Sequence, residues 1–531
     1  MVDLSIPELN AVKKDWRGVD LTVALCYPNV YRAGMTGLTV RLLYALFNVR
    51  EDVLCERFFI PTFREPLISI ESRQPLSKFD VVAFTLQYEE DYPNVVRMLI
   101  ESGIPPRRRD RTAEDPLVIA GGPCATANPE PLADYIDLFV IGEAEVIINQ
   151  LIDSIKDLRG HGSRTQLRDL AEIDGVYIPE ESNPARRVWV RNLDDAPHPI
   201  AQQIPLVDPG SPYMTTFGGA FSLEVSRGCS RGCRFCMIGS IGRPRRDRTL
   251  DKIEAILDDG VTYTPVKKVA LIGASVFDHP NLEEICEYVT SKGLELSIPS
   301  IRPEAVTERL TKLLVKGGQR SVTMAPDAAS PRMQMITNKR MDEDSIIEAA
   351  KTLLDGGLRR LKLYYMIGLP QERPEDIEYI IQLSKRIAEL GYGPKSIHIS
   401  INPLIPKPQT PFQWEGLAPT PHLRKAIRLI RSELMRDGRF VVDALDLRHA
   451  RIQALLSRGD RRIGRVIEHV ARLGGGFGAW RRALREFGVK MEDYIGSRVV
   501  GEPNPWDHID IGLNRSFLID EVRRYVEYGA R

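Results

Sequence analysis

The feature that most constrains this chain is a repeated alternation of short apolar runs with segments of helical periodicity. The alternation occurs in two blocks, residues 21–150 and residues 216–415 of the 531 in the chain. Apolar strands separated by helices are typical of a parallel sheet with helices on both faces. The sequence therefore predicts an α/β protein with two such regions. Ligands of parallel sheets bind at the carboxyl ends of the strands, so we expect the functional sites there.

The first block predicts a Rossmann-like domain over residues 1–150. Its last two strands end at glycine-containing segments, Gly121-Gly122-Pro123 and Gly142-Glu143. Residues 151–215 are polar and rich in proline, and they predict a linker with a few short strands. The predicted strands are Leu21–Cys26, Asp80–Leu86, Leu117–Ala120 and Asp137–Ile141, with helices over Met35–Phe47 and Tyr92–Ile100.

The second block predicts a (β/α)6 partial TIM barrel over residues 216–415. Residues 416–531 are rich in arginine and predict a mostly helical C-terminal domain. The six predicted barrel strands are Phe221–Val225, Lys268–Ile272, Leu296–Pro299, Arg320–Met324, Arg360–Met366 and Ser396–Asn402.

The composition excludes several classes of protein. Lys and Arg number 72, as do Asp and Glu, so no net charge favours a nucleic acid as partner. Seven cysteines are too few and too unevenly spaced for a secreted disulfide framework. The first residues lack a signal peptide pattern, and no apolar run reaches the roughly 18 residues of a membrane span. We therefore expect a cytoplasmic protein with no membrane partner.

Three of the seven cysteines form the strongest local signal. Cys229, Cys233 and Cys236 have the spacing Cys-x3-Cys-x2-Cys and follow the predicted strand Phe221–Val225. Neighbouring thiolates favour a soft metal site, and no fourth ligand lies nearby to close a tetrahedral zinc site. Three thiolates on a [4Fe–4S] cluster leave one iron open to bind a small molecule. A structural zinc knuckle and three incidental cysteines are the alternatives.

With an aromatic residue, Phe235, before its last cysteine, this motif resembles the signature of the radical S-adenosylmethionine (SAM) superfamily. The resemblance implies that the open iron chelates SAM and that reduction cleaves SAM to a 5′-deoxyadenosyl radical. It also implies a reductant such as flavodoxin or ferredoxin. Gly273-Ala274-Ser275 occupies the place of the family's Gly-Gly-Glu segment, but the glutamate is missing. The residues that the resemblance assigns to SAM binding are Phe235, Gly273, Ala274, Ser275, Ser300, Arg302, Met366, Ile367 and Gly368.

Two arginine-bearing features have a second interpretation. Arg302, predicted to contact the SAM carboxylate, is alternatively a strand-end arginine in solvent. The arginines of residues 243–248 predict either an anion-binding rim or a solvated loop paired with Asp247 and Asp251.

The domain order, with an α/β domain before the radical SAM region, resembles cobalamin-dependent radical SAM enzymes. The Asp-x-His-x-x-Gly motif that supplies a cobalt ligand elsewhere is absent, as is usual in this subgroup. The alternative is a Rossmann-like remnant without a cofactor. The residues that the resemblance assigns to cobalamin binding are Tyr27, Pro28, Asn29, Tyr31, Gly34, Met35, Gln87, Tyr88, Glu89, Gly121, Gly122, Pro123, Cys124, Gly142 and Glu143.

The remaining motifs leave alternatives open. Cys26, Cys55 and Cys124 are either ligands of an auxiliary cluster, as in methylthiotransferases, or buried free thiols; Cys286 is predicted to be a core residue. The Trp506-Asp507-His508 segment places a histidine near the active site or forms a packed C-terminal turn.

The implied activity is that of a cobalamin-dependent, class B radical SAM methyltransferase. It would methylate an unactivated carbon through a 5′-deoxyadenosyl radical and methylcobalamin. The acceptor would be a protein, a peptide or a small molecule, for example a glutamine of methyl-coenzyme M reductase. Alternatives are a methylthiotransferase of tRNA or protein, a cobalamin-dependent cyclase or rearrangement enzyme, and a non-catalytic binding module. A nucleic acid is the less expected partner.

Overall fold

The computed structural model describes residues 6–63, 65–161 and 164–530. Its N-terminal domain is built on a six-stranded sheet with the order β2-β1-β3-β4-β5-β6. The first five strands are parallel, and β6 pairs antiparallel with β5. The strands are β1 (Leu21–Val30), β2 (Val53–Ile60), β3 (Val81–Thr85), β4 (Leu117–Gly121), β5 (Leu138–Val140) and β6 (Val176–Tyr177).

The two faces of this sheet are covered differently. Leu21, Val23 and Leu25 of β1 face a layer that contains α2 and α5. Ala24 and Cys26 point the opposite way, into a core shared with α3 and with C-terminal helices, because successive residues of a strand alternate between faces. The helices of this domain are α1 (Tyr31–Thr36), α2 (Thr39–Asn48), α3 (Tyr92–Glu101), α4 (Pro123–Ala127) and α5 (Ile148–His161).

The segment predicted to be a linker, residues 151–215, contributes to this domain. Helix α5 begins at Ile148 and continues into that segment, and Val176–Tyr177 forms the last strand of the sheet. Ile204–Pro205 pairs antiparallel with Glu8–Leu9, which ties the end of the segment to the start of the chain.

The second region is a partial barrel of parallel strands. A three-stranded sheet, β7-β8-β9, and a four-stranded sheet, β10-β11-β12-β13, meet at a single bridge between Ile301 and Met324. The strands are β7 (Phe221–Glu224), β8 (Lys268–Ile272), β9 (Glu295–Ser297), β10 (Ser321–Asp327), β11 (Arg360–Ile367), β12 (Ile397–Pro403) and β13 (Phe440–Ala444).

The barrel has one strand more than the six that the sequence predicts. Strand β13 lies within residues 416–531, the region expected to be mostly helical, and pairs parallel with β12. Its five residues are a short run between helical patterns, which explains why periodicity alone missed it. The helices of the barrel region are α6 (Met237–Ile241), α7 (Leu250–Tyr263), α8 (Leu282–Ser291), α9 (Glu308–Lys316), α10 (Pro331–Thr337), α11 (Glu343–Asp355), α12 (Pro374–Glu389) and α13 (Thr420–Leu434).

The C-terminal helices join the two regions. Helix α15 packs on α3 of the N-terminal domain, and α18 packs on α10 of the barrel. None of the helices in residues 6–63, 65–161 and 164–530 is long and apolar enough to cross a membrane. The C-terminal helices are α14 (Leu447–Ser457), α15 (Arg462–Arg472), α16 (Gly476–Glu486), α17 (Glu492–Ile495) and α18 (Arg515–Ala530).

Two proline-containing segments, residues 406–414 and 505–510, pack against each other. Gln413 accepts a hydrogen bond of 2.8 Å from the indole nitrogen of Trp506, and Gln409 donates to the Trp506 carbonyl at 3.3 Å. Trp506 is fully buried. His508 lies against Tyr177 and within 3.4 Å of Glu130, at the far end of the N-terminal sheet. The Trp506-Asp507-His508 segment is thus a packed turn.

Candidate functional site

The three clustered cysteines lie on one loop, residues 228–236, at the carboxyl end of β7; we call this the cysteine loop. Its entry requires glycine, because Gly228 has a φ of +76° and a Cβ there would lie 2.2 Å from the Gly242 carbonyl. Its exit is fixed by Cys236, whose sulfur accepts the Gly239 amide hydrogen at 3.3 Å as the N-cap of α6. Cys233 and Cys236 are thereby held close together, with the Cys236 amide bonded to the Cys233 carbonyl at 3.1 Å.

The electrostatics of the cysteine loop combine burial with one nearby cation. Burial raises the pKa of Cys233 to about 12 and raises that of Cys236, while Lys339 acts in the opposite direction on both. Lys339 also pairs with Asp327 and lies 6.0 Å from the centre of the Phe235 ring. Among the described residues, no three His, Cys, Asp or Glu side chains converge as ligands of a single metal ion would.

The segment after β8 lies directly beside the cysteine loop. A Cβ on Gly273 would stand 2.5 Å from the hydroxyl of Ser226, so only glycine allows this approach. The Ser275 hydroxyl donates to Asp278 at 2.6 Å, and its carbonyl accepts from Arg245 at 2.7 Å. The backbone of Gly273-Ala274, rather than the Ser275 hydroxyl, is what this segment leaves available for a ligand.

Arg302, predicted to bind the SAM carboxylate, is largely buried and already engaged. Its guanidinium pairs with Glu304 at 2.9 Å and donates to the Arg340 carbonyl at 3.0 Å. Arg302 is thus a strand-end arginine paired with a partly exposed glutamate, and its contact with the SAM carboxylate stays a prediction.

The three predicted residues that end β11 have different environments. Met366 is half-buried on the inner side of the strand, whereas Ile367 is fully buried in the barrel core. Gly368 has a φ of +70° and donates its amide hydrogen to Glu372 at 2.9 Å. Of the three, only Met366 is placed to line the barrel interior.

A cavity of about 630 Å³ opens at the amino ends of the barrel strands, where Lys268, Glu295 and Arg320 line it, and reaches into the barrel. Ser300 lines it, together with the side chains of β9, β10 and β11 that face inward. Its walls carry hydroxyl groups from Ser297, Ser321, Thr323 and Tyr364. The cavity offers a polar environment inside the barrel.

An apolar cavity of about 550 Å³ connects the N-terminal domain to the cysteine loop. Ala83 and its neighbours on β1, β3, β4 and β5 form one wall, and the apolar faces of α2 and α5 form the opposite wall. The far end is bounded by Gly228, by α6 and by Gly273-Ala274. The cavity therefore extends from the sheet face of one domain to the strand ends of the other.

The structure divides the residues predicted to bind cobalamin into two groups. Six of them line the apolar cavity: Gln87, Gly121, Gly122, Pro123, Gly142 and Glu143. The other nine are not among its lining residues: Tyr27, Pro28, Asn29, Tyr31, Gly34, Met35, Tyr88, Glu89 and Cys124.

Residues of the second group have packing or pairing roles. Tyr31 donates to Glu8 at 2.5 Å, and Met35 is fully buried. A Cβ on Gly34 would lie 2.5 Å from the Phe59 ring. This part of α1 is held by the core of the domain.

Polar members of the second group lie at the junction with the barrel. Asn29 donates to Asp91 at 2.7 Å, and Glu89 pairs with Lys407 at 2.5 Å. Burial raises the pKa of Asp91 to about 7. The β3 strand end is thereby linked to the segment that follows β12.

Glu143 is the centre of an ion-pair cluster that joins the two domains. Arg246 donates to it at 2.8 and 3.0 Å, and Arg227 donates to it at 2.9 Å. Arg227 pairs in addition with Glu224 at 2.9 Å and with Glu145. We call these five residues the Glu143 cluster.

The arginines after the cysteine loop are bonded within the protein. Arg245 pairs with Asp247 at 2.6 Å, as the solvated-loop interpretation expects. Arg246 and Arg248 are buried, however, and Arg248 donates to the carbonyls of Leu193 and Ala196. The expectation of a solvated loop is wrong, because these arginines hold the linker segment and the Glu143 cluster.

Two family matches identify the superfamily to which the chain belongs. Residues 39–179 match the family described as Radical SAM proteins, N-terminal, and residues 223–384 match the Radical SAM superfamily. The second match includes the cysteine loop and five barrel strands. The chain belongs to the radical SAM superfamily.

Curated relatives extend this similarity along most of the chain. The radical SAM chain is 30% identical to the uncharacterized protein MJ0966 of Methanocaldococcus jannaschii, over 84% of this chain and 90% of the relative. It is 25% identical to the uncharacterized methyltransferase PH0819 of Pyrococcus horikoshii, over 67% of this chain and 74% of the relative. The ribosomal protein uS12 methylthiotransferase RimO of Nostoc punctiforme matches only 33% of this chain, at 26% identity over 42% of the relative.

Solved structures share the fold over both domains. The radical SAM methyltransferase TsrM of Kitasatospora setae, with cobalamin and a [4Fe–4S] cluster bound, aligns with a TM-score of 0.55 at 13% identity. That alignment covers 89% of this chain and 99% of TsrM. The cobalamin-dependent radical SAM enzyme OxsB aligns with a TM-score of 0.50 at 12% identity, over 95% of this chain and 79% of OxsB. The Rossmann-like domain followed by a radical SAM barrel is therefore confirmed as the fold class.

Sequence reasoning missed several residues that line the apolar cavity of this radical SAM protein. They include Leu38 and Thr39 at the start of α2, Thr85 at the end of β3, Thr126 of α4 and Ser226 before the cysteine loop. Thr85 and Ser226 adjoin strand ends, so the strand-end rule was sufficient to find them. Leu38 and Thr39 follow the glycine at 37, and only the return of α2 over the sheet places them at the cavity.

The other cysteines are buried in the cores of the two domains. Cys26 lies in the core shared with α3, whereas Cys55, on the neighbouring strand, lies in the core on the opposite face of the sheet. Cys124 is buried in the same core as Cys26. Burial raises the pKa of all three thiols well above the ordinary value. Cys286 is buried in the barrel core, as predicted.

Proposed function

We propose that this chain is a cobalamin-dependent radical SAM methyltransferase that methylates carbon. The observation that carries the proposal is the apolar cavity that extends from the N-terminal sheet to Gly228 and Gly273-Ala274, beside the cysteine loop. A cofactor in such a cavity would lie next to the site where the superfamily binds SAM. The names of PH0819 and TsrM as methyltransferases support the same conclusion.

The cavity residues fit a large organic cofactor. The lining is mostly apolar, as in most cofactor sites. A Cβ on Gly37 would meet no atom within 4 Å, and Gly122 and Gly142 adopt φ values of +103° and +113° at strand ends. The Ser226 hydroxyl is buried, lines the cavity and has no hydrogen-bond partner. A buried hydroxyl without a partner is costly, and a ligand in the cavity would supply one.

The residues of the chain then have separate tasks. Cys229, Cys233 and Cys236 would hold the [4Fe–4S] cluster, and the backbone of Gly273-Ala274 would bind SAM. The cluster with SAM supplies hydrogen-atom abstraction, and cobalamin supplies the methyl group. An unactivated carbon has no accessible pKa, so acid–base catalysis by side chains cannot start this reaction. The protein contributes placement of the cofactors and exclusion of water.

Methylthiotransferase activity is the less favoured hypothesis for the same site. That activity calls for an auxiliary cluster, and Cys26, Cys55 and Cys124 are its candidate ligands. Cys26 and Cys55 point to opposite faces of one sheet, so the three thiols cannot share a cluster without refolding the domain. The similarity to RimO covers a third of this chain.

We propose a polar acceptor, such as a protein side chain or a polar small molecule. The hydroxyl groups that Ser300, Thr323 and Tyr364 contribute to the inner wall of the barrel support this choice. A glutamine of a protein substrate meets this requirement. Flavodoxin or ferredoxin is the proposed reductant. The mass of the product distinguishes methylation from a cyclisation or rearrangement.

The test uses two alanines of the same sheet. Ala83 of β3 lines the apolar cavity, whereas Ala24 of β1 lies in the packed core on the opposite face. We expect Ala83→Phe to fill the cavity, to abolish cobalamin uptake and to leave the free energy of unfolding nearly unchanged. Ala24→Phe overpacks a core without space and should cost about 1–3 kcal/mol, while the folded protein still binds cobalamin.

The measurements are equilibrium cobalamin binding by absorbance and, without cobalamin, urea unfolding of the cluster-reconstituted protein. The wild type should also convert SAM to both S-adenosylhomocysteine and 5′-deoxyadenosine. Absence of cobalamin uptake by the wild type, or full uptake by Ala83→Phe, would overturn the proposal.

A further inference from the structure

A fully buried arginine, Arg458, stands at the end of α14 and forms no ion pair within the described ranges of the chain. The guanidinium of Arg458 makes one hydrogen bond, from Nη1 to the Ile495 carbonyl at 3.3 Å. Its Nε and Nη2 atoms are buried and have no acceptor. Arginine is almost never fully buried unless it is paired. The environment of Arg458 therefore calls for a partner that the protein itself does not supply.

A second arginine lies beside the first. Arg498 is half-buried, and its Nη2 donates to the Arg458 carbonyl at 2.8 Å. Within the described parts of the chain, neither guanidinium forms an ion pair with a carboxylate. Burial, and then the charge of Arg498, lowers the pKa of Arg458 to about 9, although the charge of Glu415 acts in the opposite direction. The two like charges therefore destabilise each other.

The acidic side chains of this neighbourhood are used elsewhere. Glu415 accepts from the hydroxyl of Tyr525. Asp460 pairs with Arg462 at 2.6 Å, and Asp507 pairs with Arg515 at 2.8 Å. None of the three is within ion-pair distance of Arg458 or Arg498.

Further buried hydrogen-bond donors without acceptors surround the two arginines. Arg498 donates through its amide to the Trp414 carbonyl and through Nη1 to the Asn504 Oδ1 atom, both at 2.8 Å. The side-chain nitrogen of Asn504 and the hydroxyl of Ser457, which precedes Arg458 in the chain, are buried and have no partner among the described residues. A set of donors around two positive charges is the complement of an anion.

We propose that Arg458, Arg498, Ser457 and Asn504 form a binding site for an oxyanion, a phosphate or a carboxylate group. The site lies between the segment after β12 and the C-terminal helices. Half-buried Arg498 lies on the solvent side of the site, next to the exposed residues Val499 and Val500. An oxyanion there accepts the free hydrogens of Arg458 and neutralises both guanidinium groups, and so ties residues 496–505 to α14.

The test measures the melting temperature of the full-length, cluster-reconstituted protein. Potassium phosphate and potassium acetate are each compared with potassium chloride at equal ionic strength. We expect at least one oxyanion to raise the melting temperature of the wild type by about 2 °C or more, as binding to the folded state requires. A response to phosphate alone, or to acetate alone, identifies which group the site takes.

Two variants and a matched control locate the effect. Arg458→Met should abolish the oxyanion response and melt no lower than the wild type in chloride, because it removes an unpaired buried charge. Arg498→Met should also abolish the response, which keeps the test valid if the first variant folds poorly. Arg482→Met, at an exposed arginine of α16, should retain the full response.

Three results would overturn the proposal. The first is equal melting of the wild type in all three salts, as expected if water alone occupies the site. The second is an oxyanion response that persists in both Arg458→Met and Arg498→Met. The third is a chloride melting temperature of Arg458→Met well below that of the wild type with an unchanged oxyanion response, which would assign Arg458 a purely structural role.

Discussion

Replacing Glu143 with glutamine tests how the two domains are held together around the apolar cavity. The side chain is 13% exposed and accepts four hydrogen bonds, two from Arg246, one from Arg227 and one from the Val190 amide. Glu143→Gln keeps the shape of the side chain and removes its charge. The variant therefore isolates the ionic part of the contact.

The magnitude follows from what each arginine retains. Arg227 keeps Glu224 and Glu145 as carboxylate partners. Arg246, whose side chain is 5% exposed, has Glu143 as its one carboxylate partner within the described ranges. Leaving a buried charge unpaired costs about 3–5 kcal/mol. We expect Glu143→Gln to lower the free energy of unfolding by about 3 kcal/mol, mostly through Arg246.

The assay is urea unfolding at pH 7.5, with Glu145→Gln as the matched control. Glu145 pairs with Arg227 alone, which keeps two carboxylates in the variant. Glu145→Gln should therefore lower the free energy of unfolding by no more than about 1.5 kcal/mol. A larger loss for Glu145→Gln than for Glu143→Gln would refute this reasoning, as would a Glu143→Gln variant within 0.5 kcal/mol of the wild type, roughly the scatter of surface substitutions.

The pH dependence supplies a second check on Glu143. Burial raises the pKa of its carboxyl group, but the hydrogen bonds of Arg246 and the charge of Arg227 together lower it below the ordinary value. A lowered pKa in the folded state contributes stability above the unfolded pKa of about 4.3, and this stability is lost as the pH falls through the folded pKa. The difference in free energy of unfolding between the wild type and Glu143→Gln should therefore become smaller below a pH of about 4.

Two further predictions concern the thiols and a buried carboxyl group. A triple variant with alanine at Cys26, Cys55 and Cys124 should keep about four iron atoms per chain, as expected for one [4Fe–4S] cluster. The Cys233→Ala variant should lose most of this iron. An iron content near eight atoms per chain in the wild type would contradict this prediction. Burial raises the pKa of Asp91 to about 7, so its contribution to stability is lost as the pH rises from about 4 to 7. Asp91→Asn should therefore show a smaller fall in melting temperature between pH 5 and pH 7.5 than the wild type, and an equal fall would contradict the assignment.

Much of the fold followed from local patterns in the sequence. The run at Val81–Thr85 is buried at every position, and an apolar run of that kind predicts an inner strand of a parallel sheet. The Cys229 to Cys236 spacing predicted a cluster loop at a strand end, which is where the structure places it. Glycines such as Gly122 marked the carboxyl ends of strands in the N-terminal sheet. These features depend on residues close together in the chain, and composition and spacing report them directly.

Other features depended on contacts between distant parts of the chain. Glu143 was predicted to bind a cofactor; it lines the apolar cavity, but its carboxylate is engaged by Arg227 and Arg246, more than 80 positions away. The unpaired charge of Arg458 is invisible in sequence, because an arginine in a helical pattern is ordinarily solvated.

The sequence by itself thus determined the class of fold, the order of the domains and the strand end at which the three clustered cysteines lie, since these depend on local periodicity and spacing. The tertiary structure decided which side of a sheet each thiol faces, which carboxylates meet which arginines, and where a cavity joins two domains. The physical reason is that burial and charge pairing are set by whatever the chain brings alongside a residue. Spacing along the sequence carries little information about such neighbours once they are tens or hundreds of residues apart.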